Sequence, residues 1–211
     1  MALAVDRYEL GPIGTNCYVV RASRGASDAV VVDPGGDAAQ LRLELAHAGA
    51  RCVAILITHG HFDHLGGVAD LAETGAAVYM AQEERTLLER INDFVPPGVR
   101  LRPYTPDVLL HGDETLELAG LAFQVLRVPG HSPAHLAYSA DGCLFSGDVL
   151  FAGSVGRTDL PGGDWDTLVH SIRALADRYP PETIVYPGHG PETTLGAELA
   201  RNPFLAELRA S

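Results

Sequence analysis

Apolar positions along this chain come in short runs cut by glycine, proline and small polar residues, a pattern that favours many short strands over a few long helices. The first third predicts strands over Ala2–Leu10, Cys17–Arg21 and Ala29–Asp33, separated by Gly11-Pro12-Ile13-Gly14 and by Ser23–Ser27. Asp33-Pro34-Gly35-Gly36 then breaks regular structure. Asp37 reads as the cap of a helix over Ala38–Ala48 that Gly49 stops. Val53–Ile57, apolar throughout and rich in β-branched residues, predicts a buried strand. A short helix over Val68–Glu73, a strand at Ala77–Met80 and a helix over about Gln82–Ile91 follow.

Asn92–Pro106, with Pro96, Pro97, Pro103 and Pro106, has no regular pattern. It reads as a linker or as a surface connection within one domain, one that could edge the mouth of a site. Beyond it, strands are expected at Glu114–Leu118, Leu121–Val128, Leu136–Ser139 and Leu144–Ser146, the last two joined by a hairpin turn at Asp141-Gly142. Leu168, Val169, Ile172, Leu175 and Ala176 recur at helical spacing within Trp165–Tyr179, which Pro180-Pro181 ends. A strand at Thr183–Tyr186 and a helix at Leu195–Arg201 complete the pattern. Strands then helix, twice over, suggest two similar halves with sheets packed face to face and helices outside. A length of 211 residues suits one large domain over 1–211.

A net charge of -12 argues against sequence-independent nucleic-acid binding and against docking on anionic membranes. All 15 basic residues are arginine, so Schiff-base lysine chemistry is excluded and an anionic substrate group would need Arg, main-chain N–H or metal. Cys17, Cys52 and Cys143 are widely spaced, with no Cys-x-x-Cys pair, as expected of reduced core residues in a cytoplasmic protein. Met1–Leu10 lacks the basic start and apolar core of a signal peptide, and no run approaches a membrane span.

The chemistry concentrates in Thr58-His59-Gly60-His61-Phe62-Asp63-His64, directly after the Val53–Ile57 strand. Neutral imidazole and carboxylate are ligands for zinc and other divalent metals. A tight loop aims neighbouring side chains at different points, so this one segment could feed two adjacent metals. Three further strand ends repeat the theme: Val128-Pro129-Gly130-His131, Phe145-Ser146-Gly147-Asp148 and Tyr186-Pro187-Gly188-His189. In each, glycine lets the chain turn sharply so that the next side chain can point into a shared pocket.

His-x-His-x-Asp-His followed by Gly-His131, Gly-Asp148 and Gly-His189 resembles the metallo-β-lactamase superfamily of hydrolases. Asp33-Pro34-Gly35-Gly36, Gly156-Arg157-Thr158-Asp159, Pro187-Gly188-His189-Gly190 and Asn202-Pro203-Phe204 resemble its glyoxalase II (hydroxyacylglutathione hydrolase) branch, in particular the short members. The resemblance implies an α+β four-layer αββα sandwich with two divalent metal ions at one edge, zinc first, with iron or manganese as alternatives. His59, His61 and His131 would hold one metal, Asp63, His64 and His189 the other, and Asp148 would bridge them. Full-length members carry a C-terminal helical extension that supplies basic residues to glutathione. This sequence ends about twenty residues past His189, which leaves the thiol carrier open.

The implied reaction is hydrolysis of a thioester, S-lactoylglutathione or a related 2-hydroxyacyl thiol, by a metal-bridging hydroxide that Asp63 both ligates and orients. A thiolate leaves without a general acid, which suits this site. Cysteine typically stands at the position of Asp148 in the lactamase branch, so β-lactams are not the expected substrate. The competing reading is a persulfide dioxygenase with one iron on His59, His131 and Asp148. Ester or lactone hydrolysis and a non-enzymatic metal-binding module rank below both. Arg157 either contacts a substrate carboxylate or bridges Asp159. His135 reads as structural, and His47, His111 and His170 as surface residues. Phe151 and Tyr186 either wall the pocket or belong to the core. The expected partner is a small-molecule thioester, without nucleic acid or membrane, and a homo-oligomer stays open.

Overall fold

The computed structural model describes residues 3–209 and builds six strands from each half of the chain into a separate sheet. The first half runs β1 (Ala4–Leu10), β2 (Thr15–Arg21), β3 (Asp28–Val32), α1 (Ala38–His47), β4 (Arg51–Leu56), α2 (Phe62–Leu65), α3 (Val68–Ala72), β5 (Ala77–Ala81), α4 (Arg85–Glu89) and β6 (Val108–Leu110). Its strands lie in sequence order, antiparallel from β1 to β3 and parallel from β3 to β6. The second half runs β7 (Thr115–Leu118), β8 (Leu121–Arg127), β9 (Leu136–Ala140), β10 (Cys143–Gly147), β11 (Leu150–Phe151), β12 (Ser154–Val155), α5 (Trp165–Arg178), β13 (Ile184–Pro187), β14 (Thr193–Thr194) and α6 (Leu195–Arg201). Its sheet order is β14-β13-β10-β9-β8-β7, with β10 and β13 parallel and the other pairs antiparallel; β11 and β12 form a small separate ribbon.

Both faces of each sheet are apolar, and this dictates the layers. Successive strand residues point to opposite faces. Val19 and Val31 therefore join Leu41, Leu45, Val68, Leu71 and Leu88 under the first half's helices. Their neighbours Val20, Val30 and Val32 face the other way and meet Phe123, Val125, Tyr138 and Phe145 of the second sheet. On the far side of that sheet, Leu126, Ala137, Leu144 and Val185 pack against Leu168, Ile172 and Leu175 of α5 and Leu195 of α6. Three apolar cores thus separate four layers, the αββα sandwich anticipated above.

Several boundaries differ from the sequence reading for identifiable reasons. The expected first residue of the first strand, Ala2, lies outside the described residues. Asp37 precedes α1 but does not cap it: its φ is 45°, and its carboxylate accepts the Gly11 N–H at 3.0 Å instead. The helix expected over Gln82–Ile91 breaks into a 3-10 turn at Gln82–Glu84, α4, and another 3-10 turn at Ile91–Asp93. Glu84 sits at φ -101° and ψ 1°, outside helical geometry, with its side chain buried. The Asp141-Gly142 turn is as expected, with φ of 50° and 81°, the mirror-image turn that suits a two-residue hairpin. Among the described residues no helix is long and apolar enough to cross a membrane.

Candidate metal centre

The site forms where β4, β8, β10 and β13 end, because the chain turns there toward the gap between the sheets. Leu136 N–H donates to the Thr58 carbonyl at 2.7 Å, and Asn16 N–H to the Gly188 carbonyl at 2.7 Å, so main-chain bonds join the two halves beside the site. The seven sequence-predicted donors converge. His59, His61 and His131 form one group, and Asp63, His64 and His189 another. Asp148 joins His59 and His64 in a third group that overlaps both expected sets.

In the first group the His59 Nε2, His61 Nδ1 and His131 Nε2 atoms stand 2.9–3.2 Å apart. Two ligands 2.0–2.1 Å from one tetrahedral ion would be about 3.3 Å apart. The outer ring nitrogens fix which atom points inward. Arg157's carbonyl can only accept, so His131 Nδ1 donates to it at 2.8 Å and leaves Nε2 its lone pair. Thr58 gives its hydroxyl proton to Asp33 Oδ2 at 2.7 Å, so it accepts from His59 Nδ1 at 3.0 Å, again freeing Nε2. Burial, then the neighbouring histidines, hold His59 well below the ordinary imidazole range and bring His61 to about 4. Neutral rings are the ones that bind metal.

In the second group Asp63 Oδ2 lies 3.4 Å from His64 Nε2 and 3.3 Å from His189 Nε2. It also accepts the Thr15 hydroxyl at 2.8 Å. His64 Nδ1 donates to Asp33 Oδ2 at 2.9 Å, leaving Nε2 turned inward. Asp148 stands between the groups: Oδ1 is 3.5 Å from His64, and Oδ2 is 3.6 Å from both His131 and His189. Burial alone would raise the Asp148 carboxyl, but His64 and His131 outweigh it and bring it down to about 2. Burial likewise opposes the charged form of His64, yet Asp148 and Asp33 hold it well above the usual range. His64 Nε2 and Asp148 Oδ1 are buried without a hydrogen-bond partner. Inward-facing donors in two sets, with an unpartnered imidazole nitrogen on His64 and an unpartnered oxygen on the carboxylate between them, fit a pair of divalent ions.

The centre lies at the floor of a cleft of about 600 Å³ whose walls include Ile13, Leu87, Phe94, Val95, Leu160 and Pro161. Phe94, Val95 and Pro96 place the irregular 92–106 stretch at the mouth, as the sequence suggested. Arg157 also lines the cleft, and its guanidinium makes a two-pronged ion pair with Asp159 at 2.7 Å on both prongs, the second of its two readings. Tyr186 belongs to the inter-sheet core, stacked on Phe145. Phe151 stands edge-on to His189 at 6.1 Å and does not line the cleft. His135 is buried, accepts the Asp148 N–H at 3.1 Å and stacks on His59, which is a structural role. His47, His111 and His170 are exposed.

The sequence reading missed the residues that aim the donors. Asp33 serves Thr58 and His64 at once. Thr15 holds Asp63, and Asn16 Nδ2 donates to the Pro187 and Gly190 carbonyls on either side of His189 at 2.9 and 2.8 Å. A signal for Asp33 existed: an acid at the end of a buried apolar strand, the same context as the four ligand-bearing loops. Thr15 and Asn16 carried none, being ordinary turn-flanking residues in the sequence.

A family model described as the Metallo-beta-lactamase superfamily matches residues 10–189. GloC, a hydroxyacylglutathione hydrolase of Haemophilus influenzae, is 35% identical over 187 residues, covering 84% of this chain and 87% of that protein. The crystal structure of the BLEG-1 B3 metallo-beta-lactamase superposes with a TM-score of 0.90 at 40% identity, covering 96% of this chain and 100% of that one. TTHA1623, solved in a di-iron-bound form, gives 0.77 at 42% identity, covering 95% and 100%. The matched span takes in every donor from His59 to His189 and the strands β2 to β13, and on that ground the chain belongs to the metallo-beta-lactamase superfamily.

Proposed function

We propose that this chain is a metal-dependent hydrolase of thioesters, S-lactoylglutathione or related 2-hydroxyacyl thiols. The observation that carries the reading is the pair of donor sets sharing Asp148 at the floor of an open cleft. The likeness to GloC supports the thioester among the reactions such a site can perform. Two divalent ions, zinc or iron, would supply a water of near-neutral pKa and polarise the scissile carbonyl. His59, His61 and His131 would hold one ion, Asp63, His64 and His189 the other, and Asp148 both.

The chain's own residues do the rest. Asp63 is ionised: burial would raise its carboxyl, but the His189 hydrogen bond and the His64 ring keep it below the ordinary carboxylate range. Held by Thr15, it is an acceptor that orients a water proton at the floor of the cleft. Ser132 lines the cleft, but its hydroxyl has no hydrogen-bond partner, so no base activates it as a nucleophile. Attack by water is what remains. The apolar walls give the acyl group a surface to pack against, and a thiolate leaves without a side-chain acid.

The test is metal content by elemental analysis together with kcat/KM on a thioester panel. Two metals per chain and hydrolysis of S-lactoylglutathione are expected. One iron per chain with oxygen uptake on a persulfide substrate would replace this reading with the dioxygenase. The likeness to BLEG-1 supports β-lactam hydrolysis as a second reading despite Asp148, so a chromogenic cephalosporin belongs in the panel. Turnover of it faster than of any thioester would reverse the order.

A further inference from the structure

The segment between β5 and α4 carries an acid that the metal reading does not use. Glu84 is 3% exposed. Its Oε2 accepts the Gly60 N–H at 2.6 Å and its Oε1 accepts the Ala134 N–H at 2.9 Å. A buried carboxylate is costly unless both oxygens are engaged, and here each is engaged by a different loop. Gly60 lies between His59 and His61. Ala134 lies between His131 and His135. The same segment braces the first loop sterically: a Cβ on Gly60 would lie 2.2 Å from Leu87 Cδ1.

We propose that Glu84 is the positioning residue of the three-histidine set, a strut that fixes the spacing of the two loops and so brings His61 Nδ1 within 2.9 Å of His131 Nε2. This rests on the reading of the site as a metal centre. The strut is selective, because the other set is tied down elsewhere: Asp63 by Thr15, and the His189 loop by Asn16. Only a carboxylate offers an acceptor to each main-chain donor. A glutamine in its place keeps one bond and turns an NH2 on the other N–H.

The selectivity makes the strut separable from general support of the fold. Glu84→Ala could lose the fold with the bonds, so Glu84→Gln, which preserves volume, is the working variant. It is placed in two backgrounds, His189→Ala and His61→Ala, each of which impairs one set. Zinc affinity is measured in each by competition with a chromophoric chelator. Glu84→Gln is expected to weaken zinc at least about 10-fold in the His189→Ala background, the scale of losing a group that orients ligands, and less than about threefold in the His61→Ala background. Equal weakening in both, stronger weakening in the His61→Ala background, or none in either overturns the proposal. A chain without these substitutions that binds no zinc overturns the metal reading along with it, whereas a zinc-binding chain indifferent to Glu84→Gln overturns the strut alone.

Discussion

Asp33→Asn isolates what one buried carboxylate does for the second metal set. The backbone change is small, because Asp33 sits at φ 50°, a region that Asn occupies as readily as Asp. What changes is the acceptor count. Oδ1 accepts the Thr58 N–H at 2.8 Å, and Oδ2 accepts both the Thr58 hydroxyl at 2.7 Å and His64 Nδ1 at 2.9 Å. With the asparagine oxygen in the Oδ2 place, the NH2 opposes the Thr58 N–H. With it in the Oδ1 place, the NH2 faces His64 Nδ1, which can receive it only by moving its own proton to Nε2, the atom meant for metal. The first orientation loses one bond to a charged acceptor and the second loses two, so the cost is at least about 1.5–3 kcal/mol. At about 1.4 kcal/mol per decade, zinc at the Asp63–His64–His189 set should bind roughly 10- to 100-fold more weakly. The other set, reached through Thr58 and His59, should change less. Zinc retained after dialysis and affinity by chelator competition measure this, and thermal melting of the zinc-free protein monitors the fold. An Asp33→Asn variant holding two zinc ions at unchanged affinity would refute the argument.

Asp148→Ala removes a carboxylate that faces both sets and should drop bound metal below one per chain. His135→Ala should keep its metal while losing about 2–4 kcal/mol of stability from a buried ring, as elemental analysis and urea unfolding would show; equal metal content in the two variants contradicts this. Gly188→Ala would put a Cβ 2.1 Å from Asp148 Oδ1 and 2.8 Å from His64 Cε1, so metal content and activity should both fall; a variant retaining two metals would mean that the loop yields. Burial pushes the Cys52 thiol up to about 12 and Cys17 well above its ordinary range. At pH 8 only about one Cys52 in 10⁴ is thiolate, and a thiol reagent should label neither residue until denaturant is added. Rapid labelling of the native protein contradicts that burial.

The apolar rhythm carried the two sheets because both faces of each are buried, and near-continuous valine and alanine runs have few other uses. It failed where structure is too short to have a rhythm. β11, β12 and β14 are two residues each, and β6 was hidden behind prolines. The donors themselves were legible because each follows an apolar run and a sharp turn. The groups that aim them were not, since Asp33 and His64 are 31 residues apart and Asn16 and Pro187 are 171 apart. Glu84 shows the limit well. On a helical pattern it reads as one more surface acid, and only tertiary contact with Gly60 and Ala134 draws it inward and breaks the helix.

Each half of the chain supplies one whole sheet, and neither half owns a complete donor set. His59 and His61 wait on His131, while Asp63 and His64 wait on His189, the last donor to leave the ribosome. Before β13 is made, the chain already carries the three-histidine group, Asp148, Asp63 and His64, and lacks only His189 among the seven donors. Metal captured early would clasp the halves together before the second set is complete, and metal captured late would act as a lock on halves that had already docked.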